Sequence, residues 1–203
     1  GGLLRDLCDI DGALAAYQQA YELSGDDAYR LRAALTMPPI MRSRQAIAET
    51  RTRMEGSLRS LLAENIRIDD PVRMIPHLAF YLAYHGENDH DLQQLIAQVI
   101  RKACPSLQHT APHIADWGGC ADRKVEVVFV SSHLKNHTIG RLNRELIRLL
   151  DRSRYRVTVV FVGQPKDAFA QEIAASADSV VVVSRNIAEA QSTIAGLQCD
   201  LLY

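Results

Sequence analysis

The stretch that decides the fold is Val125-Glu-Val-Val-Phe-Val-Ser131, where β-branched residues are almost continuous. Such a run predicts a strand buried on both faces, as in a parallel sheet. After this strand the spacing of the apolar residues changes to that of an amphipathic helix, over Ile139–Leu150. A second apolar run follows at Tyr155–Val162. The alternation continues with predicted helices at Asp167–Ala177 and Ile187–Leu197 and predicted strands at Ser179–Val183 and Asp200–Tyr203. Strands that alternate with helices in this way predict right-handed βαβ units and a Rossmann-like parallel sheet over residues 124–203.

The residues before this sheet have helical periodicity, so the predicted fold class is α/β with a helical N-terminal region over residues 1–105. Ser43 is placed to cap a long helix that runs to about Glu64. Further helical segments are predicted from Pro71, over His77–Gly86, and from Asn88 to the residues before Pro105, and Pro76 either starts another helix or kinks the one that starts at Pro71. Residues 102–123 are expected to form an irregular connection.

The first helix carries small and aromatic residues on one face, since Ala13, Tyr17 and Ala20 lie four and three positions apart. This spacing fits the second helix of a tetratricopeptide repeat, whose period is about 34 residues. An ordinary amphipathic helix explains it equally well. A single repeat cannot bury its own apolar face, so we expect more repeats before Gly1. We likewise expect more of the sheet after Tyr203.

Charge and composition exclude several classes of protein. Lys and Arg number 23 against 24 Asp and Glu, a net charge of −1, which argues against a dominant nucleic-acid or anionic-membrane surface. The longest apolar runs have a few residues, whereas a membrane span needs about 20. The four cysteines are far apart and form no C-x-x-C pair, so we expect reduced thiols and a cytoplasmic location.

The loop after the first strand, Ser131-Ser-His-Leu-Lys-Asn-His-Thr-Ile-Gly140, concentrates the polar chemistry. Ligands of open α/β sheets bind beyond the carboxyl ends of the strands. The loop offers hydroxyls, an amide, a lysine and two imidazoles, which can bind a sugar or a phosphate and take up a proton. No G-x-G-x-x-G or P-loop pattern is present. His133 and His137 have no carboxylate or thiol near them in the sequence, so we expect no metal site.

The segment Val128–Gly140, followed by Leu149-Leu-Asp-Arg-Ser-Arg-Tyr-Arg-Val157, resembles the start of the catalytic region of the SPINDLY / O-linked N-acetylglucosamine transferase family. Members of that family have a Ser-Ser-Asp-Phe-x-x-His type of loop after the first strand. The segment Phe80–Asp89 resembles the link between repeats and catalytic lobe in bacterial members. His133-Leu134 stands where eukaryotic members have Asp-Phe, which places in question any contact that this aspartate makes.

The resemblance implies the first lobe of a GT-B fold and an inverting, metal-independent transfer of a sugar, N-acetylglucosamine, to Ser or Thr hydroxyls of a protein. It implies a nucleotide-sugar donor, UDP-N-acetylglucosamine, and no cofactor. His137 takes the position of the family's loop histidine, either as the base that accepts the hydroxyl proton or as a residue that orients substrate. Ser132, His133, Asn136 and Thr138 are the implied substrate-binding residues. The family's second lobe holds most of the donor, so this chain alone is not expected to turn over.

Two other classes of function remain open from the sequence. One is a non-catalytic adaptor, in which the helical repeats bind a partner protein and the α/β domain is a scaffold. The other is an unrelated nucleotide-binding α/β domain with a helical prefix. In the transferase interpretation, the helical repeats bind the acceptor protein or peptide.

Overall fold

The computed structural model describes residues 1–75 and 79–203. The helical segments predicted from Pro76 and His77 begin outside the described residues. The chain divides into two compact units, Gly1–Gln108 and His109–Tyr203. Within the described ranges, no helix is both long enough and apolar enough to cross a membrane.

The first unit is helical. Its α-helices are α1 (Gly2–Asp6), α2 (Ile10–Ser24), α3 (Ala28–Ala34), α4 (Arg44–Ala63), α5 (Pro71–Met74) and α6 (His90–Ala103). Short 3₁₀ turns lie at Phe80–Tyr84 and Pro105–Gln108. The segment after His77 was expected to be a helix up to Gly86, but its described part is a single 3₁₀ turn in which Phe80 and Tyr84 are exposed.

Side-chain caps set where several of these helices begin. The hydroxyl of Ser43 accepts the backbone N–H of Ala46 at 3.1 Å, which starts α4 at the predicted position. The carboxylate of Asp70 accepts the N–H of Arg73, and Pro71 occupies the first turn of α5. At the other end of α2, Gly25 has φ +69°, the left-handed conformation that glycine adopts readily.

Helices α3, α4 and α6 supply most of the buried apolar residues of this unit. One face of α4 buries Met54, Leu58 and Leu61. Two arginines of the same helix bind groups elsewhere in this unit. Arg51 forms an ion pair with Asp89 at 2.6 Å, and the guanidinium of Arg53 donates to the carbonyl of Ala33 in α3 and to that of Thr36 just after it.

The second unit is the predicted parallel α/β layer. Its strands are β1 (Val125–Ser131), β2 (Tyr155–Val162), β3 (Ser179–Val183) and β4 (Leu201–Leu202), and its helices are α7 (Thr138–Leu149), α8 (Ala168–Ala175) and α9 (Ile187–Gly196). All strand pairs are parallel, in the order β3-β2-β1-β4. The predicted fold class, a helical region followed by a Rossmann-like parallel sheet, is confirmed.

Both faces of the sheet are covered at β1 and β2, which explains why these two strands are almost continuously apolar, whereas much of β3 and β4 at the edges is exposed. On one face, Val127, Phe129 and Val159 pack with Ile147 of α7 and Ile173 of α8. The alternate residues of the same strands, such as Val128 and Val160, pack on the other face with α9, through Ala190, Ile194 and Leu197.

The irregular segment 109–123 is attached to the start of β4. The Asp200 carboxylate, only 3% exposed, accepts two bonds from the Arg123 guanidinium at 2.6 Å and one from the Trp117 indole N–H at 2.8 Å. It also accepts the backbone N–H of Glu126. His113 is half-buried, and its ring N–H donates to the carbonyl of Cys199.

The strand order also fixes where a ligand would bind. β1 lies between β2 and β4, and the chain crosses from one side of β1 to the other after β3. In doubly wound sheets this reversal opens a crevice at the carboxyl ends of the two strands on either side of it, here β1 and β4. The loop that leaves β1 at Ser131 therefore lies at the edge where ligands of this fold class bind.

Candidate active site

The loop between β1 and α7 is anchored by one buried side chain. Leu134 is 3% exposed and packs in the core beneath α7 and α8. Its neighbours His133 and Lys135 are exposed, and the backbone N–H of Lys135 donates to the carbonyl of His133 at 2.8 Å. The loop is thus a tight turn that presents its polar side chains to solvent.

A close backbone approach holds the loop against the start of α7. Gly140 is buried, and a Cβ on it would lie 2.1 Å from the carbonyl oxygen of Lys135. No side chain fits there, because real Cβ atoms do not come within 3.0 Å of other heavy atoms. Glycine at this position lets the loop fold back over the first turn of the helix.

His137 is the N-cap of α7. It has extended backbone angles (φ −144°, ψ 159°), and its Nδ1 accepts the backbone N–H of Ile139 at 3.2 Å. A neutral imidazole has one N–H and one acceptor nitrogen. Because Nδ1 accepts this hydrogen bond, the proton of the neutral ring is assigned to Nε2.

The rings of His133 and His137 are stacked. Their centroids are 4.4 Å apart and their planes differ by 25°. The backbone of His133 is itself held, since its N–H donates to the hydroxyl of Ser131 at 3.0 Å. The two histidines predicted from the loop therefore form a single exposed pair, a contact that the sequence spacing did not show.

Asp167 is a residue of this site that sequence reasoning missed. It lies in the loop after β2, where one of its carboxylate oxygens caps α8 by accepting the N–H of Ala170 at 2.7 Å. The other oxygen accepts the N–H of Asn136 at 3.1 Å. These backbone bonds, with the nearby Lys135 charge, hold the pKa of Asp167 below its ordinary value. Its position just beyond the carboxyl end of a strand was the available signal.

Arg141 is a second residue that the sequence analysis did not single out. Its guanidinium donates to the side-chain oxygen of Asn136, from Nη2 at 2.9 Å and from Nε at 3.3 Å. The oxygen of Asn136 is therefore engaged within the site. In the described part of the chain, neither Arg141 nor Lys135 forms an ion pair with a carboxylate.

The five residues predicted as the site all lie at the carboxyl end of β1. His133, Asn136, His137 and Thr138 are exposed, and Ser132 is half-buried. The Ser132 and Thr138 hydroxyls make no hydrogen bond within residues 1–75 and 79–203. Over the same ranges, no group of three His, Cys, Asp or Glu side chains is arranged to hold a metal ion. The site therefore offers hydrogen-bonding groups and two unpaired cations on an exposed rim.

Comparison with known proteins finds matches among solved structures. No family model matches the chain, and no curated protein matches it. Among solved structures, the chain is similar to a mutant O-GlcNAc transferase of Thermobaculum terrenum, with 18% sequence identity and a TM-score of 0.45. The match covers 90% of this chain and 33% of the other. The chain thus spans about a third of the length of that protein.

Proposed function

We propose that this chain belongs to an inverting, metal-independent glycosyltransferase that moves N-acetylglucosamine from UDP-N-acetylglucosamine to Ser or Thr hydroxyls of proteins. The observation that carries this proposal is the position of His137. Its imidazole is exposed at the start of α7, beside the carboxyl end of β1, where the strand order reverses. Ligands of doubly wound sheets bind at this place.

The groups around His137 suit a sugar nucleotide. Lys135 and Arg141 are cations without a carboxylate ion pair in the described part of the chain, and α7 begins beside them. A diphosphate is favoured by positive charge and by the backbone N–H groups of a helix N-terminus. The hydroxyls of Ser132 and Thr138 are available to hydrogen-bond the sugar.

In the proposed reaction, the acceptor hydroxyl oxygen forms a bond to the anomeric carbon with inversion. The bond from that carbon to the diphosphate oxygen breaks, and its electron pair leaves with the nucleoside diphosphate. His137 has two chemically distinct ways to assist. It accepts the hydroxyl proton as a base, or it donates a hydrogen bond to an oxygen of the donor.

The resemblance also implies which parts of the reaction lie elsewhere. In the family, a second Rossmann lobe holds most of the nucleotide, and helical repeats bind the acceptor. We therefore propose that the helical unit contacts the acceptor protein, and that this chain alone binds donor weakly and does not turn over. The four free cysteines fit a reaction in the cytoplasm.

Two measurements test the proposal. The first is an NMR titration of the ¹⁵N-labelled chain with UDP-N-acetylglucosamine, in which we expect shifts of the Ser132–Thr138 amides. The second is transfer of radiolabelled N-acetylglucosamine to protein by the protein isolated from its native cells. There we expect His137→Ala to lower transfer by about 10-fold or more, since one hydrogen bond to a charged group is worth about 1.5–3 kcal/mol.

A matched control is His109→Ala, because His109 is exposed in the same unit and makes no hydrogen bond within the described residues. It should leave both measurements unchanged. Absence of transfer by the wild-type protein, with capture of a partner by the helical unit, would favour the adaptor. Tight binding of a dinucleotide by this chain would favour the unrelated nucleotide-binding domain.

A further inference from the structure

The His137 ring has both of its rotational freedoms restricted. The hydrogen bond from the Ile139 N–H to Nδ1 selects which edge of the ring faces the helix. The stacked His133 ring, 4.4 Å away, selects the plane of the imidazole. A 180° flip of the ring would keep the stack but would break the cap.

This arrangement makes Nε2 a donor and not an acceptor. A base acting through Nε2 needs the other neutral tautomer, with the proton on Nδ1. That proton would point at the Ile139 N–H, so two donors would face each other and the N-cap bond would be lost. The lone pair that a base needs is already engaged within the helix.

We infer that His137 serves the proposed transfer as a hydrogen-bond donor, through Nε2–H, to an oxygen of the sugar nucleotide, and that His133 is the positioning residue that holds the ring. This inference rests on the proposed function. No proton is transferred to or from His137 in this role. The acceptor atom is a phosphate oxygen or a sugar oxygen, since either can accept a hydrogen bond from Nε2–H.

The support for His133 is its own rigidity. Its N–H is held by the Ser131 hydroxyl at 3.0 Å, and its carbonyl accepts the Lys135 N–H at 2.8 Å. Leu134, the next residue, is buried in the core. The backbone that carries the His133 ring is therefore fixed on both sides, and the ring provides a firm surface for His137.

The first test reads the tautomer directly and requires no activity. Long-range ¹H–¹⁵N spectra of the histidine rings, recorded on the wild-type chain at pH 8, should show His137 protonated at Nε2 and not at Nδ1. The signals are assigned by their loss in His137→Asn. A proton found on Nδ1 would overturn the inference, whatever the outcome for transfer. Titrations with UDP and with UDP-N-acetylglucosamine then distinguish a phosphate acceptor, to which both respond, from a sugar acceptor.

The second test uses variants in the transfer assay. Glutamine at 137 reaches as far as the Nε2 atom of histidine, so its N–H₂ can donate from about the same place, but it cannot act as a base at neutral pH. We expect His137→Gln to lose transfer by less than about 10-fold, and His137→Ala to lose about 10- to 100-fold. Equal losses in the two variants, in the range of about 10²–10⁴ typical of general bases, would overturn the donor role.

The positioning role of His133 is tested by two variants, one that keeps a ring at this position and one that removes it. His133→Phe keeps a ring to stack on His137, and His133→Ala removes it. We expect Phe to preserve the KM for the nucleotide sugar and the Nε2–H signal, and Ala to raise the KM about threefold to 10-fold and broaden that signal. Equal behaviour of the two variants would refute the positioning role. If the wild-type protein transfers no sugar, the proposed function fails, and the NMR result still decides the tautomer.

Discussion

An oxygen of the Asp167 carboxylate accepts the backbone N–H of Asn136 at 3.1 Å, and its other oxygen caps α8. One side chain therefore connects the loops that follow two neighbouring strands. The candidate site depends on this connection, since Asn136 lies directly before His137. Loss of the carboxylate should affect the loop after β1 although Asp167 lies 31 positions beyond Asn136 in the chain.

We predict that Asp167→Ala lowers the midpoint of urea denaturation at pH 7, because α8 loses its N-cap. The Asn136 amide should also exchange faster with solvent. Urea denaturation and hydrogen exchange measure the two effects. Because the pKa of Asp167 is depressed in the folded state, its contribution is present above pH about 4 and is lost as the pH falls further. Asp116→Ala, at an exposed carboxylate, is the control.

Gly140→Ala should disturb the same loop by a steric route. The added Cβ would meet the Lys135 carbonyl oxygen at 2.1 Å, and backbone cannot move aside as a side-chain end can. We expect a loss of about 1–3 kcal/mol in the free energy of unfolding, as for overpacked sites. Gly196→Ala at the end of α9 is the matched control, because nothing lies within 4 Å of its Cβ position. A stable Gly140→Ala protein with an unchanged loop would contradict the prediction.

The contacts of the Asp200 carboxylate with Arg123, Trp117 and Glu126, here called the Asp200 clamp, should contribute strongly to the stability of the second unit. Arg123 holds the pKa of Asp200 far below its ordinary value, and the carboxylate is almost wholly buried. We predict that Asp200→Asn costs about 3 kcal/mol in the free energy of unfolding, because it leaves charged and polar donors without their acceptor. Trp117 is the only tryptophan, so its fluorescence in a urea titration reports on the clamp directly. Asp122→Asn, at an exposed carboxylate, should change little.

His85 should make the stability of the helical unit depend on pH. It is 7% exposed, and neither ring nitrogen has a hydrogen-bond partner within the described residues. Burial and the Arg51 charge lower its pKa, against the opposing effects of Asp89 and Glu87. The unfolded chain then binds the proton of this imidazole more tightly than the folded chain does. The free energy of unfolding is therefore unaffected by His85 above pH about 6.5 and falls as the pH drops below that value.

The variant that tests this is His85→Leu, which cannot be protonated. Its free energy of unfolding, measured by urea denaturation between pH 5 and 8, should vary less with pH than that of the wild type. The difference in slope is at most about 1.4 kcal/mol per pH unit, the value for one proton. His90→Leu, at an exposed histidine, controls for the loss of an imidazole, and a wild-type slope in His85→Leu would refute the assignment.

The sequence predicted the sheet well because its signal is local. The bounds of β2 and β3 agree with the prediction, since runs of valine between turn residues leave little choice. Helix α7 starts one residue before the predicted Ile139, because its cap is a histidine, a residue that is not among the preferred N-caps. The segment after His77 differed more, since its aromatic residues gave an apolar pattern without a helix.

The site was predictable in position but not in its contacts. A loop rich in polar residues after the first strand of a parallel sheet points to the carboxyl edge by a general rule. The stack of His133 on His137 depends on the burial of Leu134 between them, which periodicity does not reveal. Asp167 and Arg141 join the site through the pairing of β1 with β2 and through the first turn of α7, both of which are consequences of tertiary structure.

The central place of β1 has a consequence for the order of assembly. Val127 pairs with Val157, 30 positions later, and with Leu201, 74 positions later. Closing the longer loop costs about 0.8 kcal/mol more in chain entropy, so β2 should join before β4. On the ribosome, one edge of β1 therefore stays bare until β4 has been translated. Such an edge is a template for intermolecular pairing, which gives chaperones that shield nascent strands a defined interval in which to act.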